Sequence, residues 1–79
     1  MADTPTPNVT LDAKGLLCPM PIVKLAKAMK DLESQQVLLL EATDPGAIPD
    51  VAAWSKNTGN PVLAQETVDK VMRFWIQKA

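Results

Sequence analysis

The stretch Leu11-Asp12-Ala13-Lys14-Gly15-Leu16-Leu17-Cys18-Pro19-Met20-Pro21 is where this 79-residue chain changes its periodicity. From Val9 to Asp12, apolar and polar side chains alternate, as in a strand with one buried face. Beyond Pro21, Ile22, Leu25, Ala26, Met29 and Leu32 fall on one helical stripe, with Lys24, Lys27, Lys30 and Asp31 elsewhere around the axis. Asp12 to Gly15 therefore reads as the turn out of a strand. Pro21 reads as the first helical residue, where its missing N–H costs nothing and its fixed φ is already helical, with Met20 flanking it.

Val37-Leu38-Leu39-Leu40 is an apolar run too short for a helix and is closed by Glu41-Ala42-Thr43, the pattern of a central strand. Asp44-Pro45-Gly46 breaks it. A second helix is expected from near Pro49 to Thr58, with Ile48, Val51, Ala52 and either Trp54 or Ser55 toward the core, Gly59 as its stop and Asp44 either as its cap, the favoured reading, or as a residue orienting the loop near Cys18. Val62 to Glu66 and Val71 to Lys78 read as strands joined through Thr67 to Lys70 as an antiparallel hairpin. In the last strand Met72, Phe74 and Ile76 share one face. Arg73, Trp75 and Gln77 point the other way, onto a face expected to be partly open to water, where Trp75 is a candidate interaction residue. The order βαβαββ places the chain in the α/β class, with a four-stranded mixed sheet and both helices packed on one face. Residues 9–79 form one domain, and residues 1–8, polar and proline-containing, read as a flexible tail.

Composition narrows the function. A formal net charge of −1, no tyrosine and a single phenylalanine leave little with which to hold a phosphate backbone or stack on bases, so no direct nucleic-acid contact is expected. One cysteine and no histidine cannot build a zinc or iron–sulfur site, and no EF-hand spacing marks a carboxylate site for calcium. The N-terminus lacks the basic start and apolar segment of an export signal, and no apolar run approaches the roughly 20 residues that cross a bilayer. With no partner for an internal disulfide, a cytoplasmic, membrane-free monomer is the expectation.

Cys18 is the candidate reactive group. A lone cysteine is more often an inert, buried small hydrophobe. Here it sits between a strand and a helix, beside Pro19 and close to Pro21, two rings that stiffen the loop and keep it out of both elements. A helix N-terminus is expected to favour the thiolate and hold the thiol below its usual range, with Lys24 and Lys27 adding a little. Pro19 removes a backbone donor near the sulfur, which weakens any oxyanion cradle and suits an extended sulfur species better. No second thiol in the chain can expel a bound sulfur as an internal disulfide.

Read as Leu11-Asp12-x-x-Gly15-Leu16-x-Cys18-Pro19-x-Pro21, the opening stretch resembles the TusA/SirA-like family of small sulfur-carrier proteins. The resemblance continues through the first helix, the Asp44-Pro45 break and the closing hairpin. It implies a two-layer α/β sandwich in which Cys18 carries sulfur as a persulfide and Gly15, Pro19 and Pro21 shape its loop. It further implies a carrier working within sulfurtransferase reactions rather than a stand-alone turnover enzyme, with no cofactor. The implied donor is a cysteine desulfurase or rhodanese-like protein, and the implied acceptor a DsrE-like or other relay protein. The sulfur could serve tRNA thiolation, molybdenum cofactor assembly or oxidation of reduced sulfur compounds. Lys24 and Lys27 are candidate partner contacts, although lysines on an outward helical face are more often simply solvated. The chain departs from the family in its end, Ile76-Gln77-Lys78-Ala79, where Lys78 alone stands for a more basic tail. Two rivals stand beside carriage: a redox sensor whose exposed thiolate is oxidised, and a regulatory interaction module with a structural Cys18 that docks through the Trp75 face.

Overall fold

The switch from period two to period 3.6 at the quoted stretch becomes, in the computed structural model, a strand–loop–helix unit that the chain then repeats. The structure describes residues 5–79, so the first half of the expected tail lies outside the described residues. The elements are β1 (Val9–Ala13), α1 (Met20–Lys30), β2 (Val37–Ala42), α2 (Ala47–Thr58), β3 (Val62–Val68) and β4 (Val71–Gln77). The sheet order is β1-β2-β4-β3. β1 pairs with β2 in parallel, from Val9 opposite Leu38 to Ala13 opposite Ala42. β4 lies antiparallel to both β2 and β3, so β1, β2 and β3 all run the same way. Two crossovers of one hand moving in one direction put both helices on one face, which gives the expected mixed, two-layer sandwich.

The core is the layer between sheet and helices. Leu38, Leu40 and Ala42 of β2 and Met72, Phe74 and Ile76 of β4 meet Leu25 and Met29 of α1, Leu32 just beyond it, and Ala47 and Val51 of α2. Burying each large side chain of this set stabilises the fold by roughly 1.5–3 kcal/mol. α1 closes against the sheet end through Lys78, whose Nζ donates to the carbonyl of Met29 at 2.8 Å. The cation that the sequence left as a remnant of a partner-binding tail is thus tied to the negative end of α1.

Several expectations change. α1 begins one residue early, with Pro19 as its cap residue and Pro21 inside the first turn, where N–H groups have no helical partner in any case. α2 starts at Ala47, not near Pro49, and buries Ala47 and Val51 with Trp54 packed beside them. That rotates the stripe: Ile48 is 41% exposed and Ala52 is exposed as well, because the short Thr43–Gly46 connection sets the phase at which the helix lands on the sheet. Trp75 is only 6% exposed, so it does not mark an open face. β4 has neighbours on both sides, and Trp75 lies in register with Leu39 of β2 and Ala64 of β3, which cover it without a helix above. Asn8, assigned to the tail, exchanges hydrogen bonds with Val37: its N–H donates to the Val37 carbonyl at 2.7 Å, and its Oδ1 accepts from the Val37 N–H at 2.8 Å. The hairpin loop is two residues, Asp69 and Lys70, with φ of 51° and 67°, the mirror-image turn that matches strand twist.

Candidate functional site

Parallel pairing of β1 and β2 brings their carboxyl ends together, so the loops that follow, 14–19 and 43–46, lie side by side where both helices begin. The first loop is pinned at three points. The Lys14 N–H donates to Asp12 Oδ1 at 2.9 Å, closing the turn out of β1. Gly15, at φ +81°, takes the left-handed conformation this turn needs, and its N–H donates to Thr43 Oγ1 at 2.9 Å. The Cys18 N–H donates to Asp44 Oδ2 at 2.8 Å. Asp44 therefore does not cap α2, whose cap residue is Gly46 with no side-chain bond. It holds the Cys18 loop, and its other oxygen accepts from the Gly46 N–H at 3.4 Å. The Cys18–Pro19 peptide is cis.

Cys18 is free and exposed. Its sulfur opens on a hollow of about 370 Å³ between the two helices, floored by Ile22, Ala53 and Trp54 and edged by Pro19, Asp50 and Asn57. Gly46 packs against the back of the cysteine: a β-carbon there would stand 3.4 Å from Cys18 Cβ and 3.3 Å from Asp44 Oδ2.

The electrostatics differ from expectation. Cys18 Sγ donates a hydrogen bond to Asp50 Oδ2. That bond, then desolvation, then the negative charges of Asp50 and Asp44, push the thiol above its ordinary value rather than below it. Both helix N-termini point at this corner, yet each offers only about half a charge at an exposed site, against a full carboxylate in contact. The neutral thiol wins. Lys24, Lys27 and Lys30 are exposed and make no ion pair or hydrogen bond among the described residues. Lys27 sits in the last turn of α1, where it complements the negative helix end and, at about 1.5 Å rise per residue, is remote from the sulfur.

The structure thus gathers Cys18, Gly15 and Pro19, leaves Pro21 buried in the first turn behind them, and sets Lys24 and Lys27 apart. Sequence reasoning missed Asp50 and Gly46. The only cue to Asp50 was an acid in the first turn of a helix, which the helix dipole explains without a sulfur atom. Among the described residues no group of three or more Cys, Asp or Glu side chains is placed to hold a metal, and no helix is long and apolar enough to cross a membrane.

Comparison with known proteins agrees with the fold and identifies the family. The family model described as Sulfurtransferase TusA matches residues 9–78. The chain is 56% identical over 68 residues to the "Putative sulfur carrier protein YrkI" of Bacillus subtilis, covering 86% of this chain and 91% of that one. It is 41% identical over 69 residues to the sulfur carrier protein TusA of Allochromatium vinosum, covering 87% and 91% of the two chains. The crystal structure of a SirA-like protein from Desulfitobacterium hafniense shares the fold with a TM-score of 0.78 at 22% identity, over 87% of this chain and 95% of that one. The match of the family model over residues 9–78, together with relatives named as sulfur carrier proteins, places the chain in the TusA family of sulfur carrier proteins.

Proposed function

We propose that Cys18 carries sulfane sulfur as a persulfide between two partner proteins in the cytoplasm. The observation that carries this reading is the exposure of the chain's single thiol on a loop fixed to Thr43 and Asp44, at the rim of an apolar hollow. In loading, Cys18 Sγ attacks the terminal sulfur of a donor persulfide. The donor S–S bond breaks, a new S–S bond forms on Cys18, and the donor leaves as a thiol carrying one proton, so that one persulfide and one thiol exchange roles. Delivery is the same exchange run toward an acceptor. A cysteine desulfurase or rhodanese-like protein fits the donor's role and a DsrE-like protein the acceptor's, and tRNA thiolation, molybdenum cofactor assembly and sulfur oxidation are the uses this chemistry serves. Lys24 and Lys27 are the contacts we assign to an acidic rim on the donor.

The buried Trp75 works against the docking module, which needs an open aromatic face, whereas the sensor and the carrier use the same exposed thiol and are separated by what that thiol gains. Intact mass after incubation with a cysteine desulfurase and labelled cysteine is the test. Gain of one labelled sulfur by the wild type and none by Cys18→Ser supports carriage. Gain of oxygen alone would return the protein to the sensor class.

A further inference from the structure

Resting on that carrier reading, we propose that Asp50 is the catalytic base and acid of the exchange: it takes the Cys18 proton as the sulfur attacks and returns it to the departing thiolate. Asp50 stands in the first turn of α2, half-buried, and its backbone N–H donates to the Gly46 carbonyl at 3.3 Å. Ala47 and Val51, both fully buried, lock that turn onto the sheet and so fix the direction of the aspartate between them. Its carboxylate accepts directly from Cys18 Sγ, while Asp44 holds the cysteine's backbone from the other side. Both reacting groups edge the same hollow, so a persulfide that enters it meets sulfur and carboxylate together.

The chemistry follows from that contact. A resting thiol bonded to a carboxylate is a poor nucleophile toward reagents that require a free thiolate. As Sγ begins to bond to the sulfane sulfur of a persulfide, its proton becomes strongly acidic, and the carboxylate already in contact accepts it. The electron pair of the broken donor S–S bond stays on the donor's sulfur. The protonated Asp50 gives its proton to that thiolate and ends as it began, a carboxylate. No oxidant or further reactant is consumed. The charged groups acting on the sulfur are Asp50 from α2 and Asp44 from the β2–α2 loop, both negative. The same arrangement therefore restrains Cys18 toward free electrophiles and serves it toward a persulfide.

Two rates on the full chain separate this role from a merely structural one. Alkylation by iodoacetamide reads the thiolate fraction. Single-turnover sulfur uptake from glutathione persulfide, followed by intact mass, reads the transfer. In Asp50→Asn, and in Asp50→Ser as a second carboxylate-free variant with folding checked by circular dichroism, the alkylation midpoint should move to lower pH and alkylation at neutral pH should speed up. Sulfur uptake relative to alkylation should fall by at least about tenfold. Asp50→Glu, which keeps a carboxylate, should recover part of that ratio. If uptake and alkylation rise together in the carboxylate-free variants, thiolate supply alone governs transfer and the base role is wrong. Should the wild type alkylate normally yet take no sulfur from the persulfide or from a desulfurase, the carrier reading falls first and this one with it.

Discussion

Replacing Asp44 with alanine removes the tie between the β2–α2 loop and the cysteine. Two acceptors disappear, the oxygen at 2.8 Å from the Cys18 N–H and the one at 3.4 Å from the Gly46 N–H. The second is long enough to count for little, and the first is charge-assisted but lies at an exposed loop, where water can take over the freed N–H. The loss therefore falls just below the usual range for a bond to a charged group, at about 1–1.5 kcal/mol. For a chain of 79 residues the unfolding entropy is about 0.17 kcal/mol per kelvin, so Tm should fall by about 6–9 K. The backbone bond from the Ala47 N–H to the Asp44 carbonyl survives, so helix content should not change. Thermal unfolding followed by far-ultraviolet circular dichroism measures the first effect. The second is electrostatic: Asp44 is one of the two negative groups that raise the Cys18 thiol, so its alkylation midpoint should shift to lower pH in the variant. An unchanged Tm together with an unchanged midpoint would mean that Asp44 neither holds the loop nor acts on the sulfur.

Three further outcomes are expected. Gly46→Ala places a β-carbon 3.3 Å from Asp44 Oδ2 and in ordinary contact, 3.4 Å, with Cys18 Cβ, with no backbone strain, so the Asp44 carboxylate that holds the Cys18 N–H must give by a few tenths of an ångström; sulfur uptake should drop while the Tm stays within about 2 K of wild type. Lys70→Gly relieves a non-glycine residue at φ 67° in the hairpin turn and should raise stability in urea by up to about 1 kcal/mol, the left-handed cost less the extra entropy of an unfolded glycine. Because the native state holds the Cys18 proton more tightly than the unfolded chain, the contribution is complete below the ordinary thiol pKa. It is lost as pH rises from there through the raised native value, so wild-type urea midpoints should decline on the alkaline side and those of Cys18→Ser should decline less.

The far side of the sheet, the face that alternation left partly open to water, carries Glu41, Arg73 and Glu66 joined at 3.0 and 3.2 Å over one surface. What alternation could not foretell was the fate of Trp75 in the same row. Polarity patterns say which way a side chain leaves the strand, but burial on an uncovered face depends on the neighbouring strands, and those are chosen by topology. The phase of α2 failed for a related reason. Ile48 and Val51-Ala52 make as good a stripe as Ala47, Val51 and Trp54, and only docking onto the sheet selects between them.

Read alone, the chain was enough for its six elements in order, for the turn that demands Gly15, and for a thiol kept out of strand and helix by two prolines, because periodicity and φ restrictions are local properties. Tertiary structure decided the charge around that thiol. Asp44 and Asp50 lie 26 and 32 positions from Cys18, and they reach it only because β1 and β2 pair in parallel and end at the same level. A helix terminus can be anticipated from a few neighbouring residues. A carboxylate brought to the sulfur by a crossover cannot, and at contact its whole charge outweighs the fractional charge that the local reading relied on.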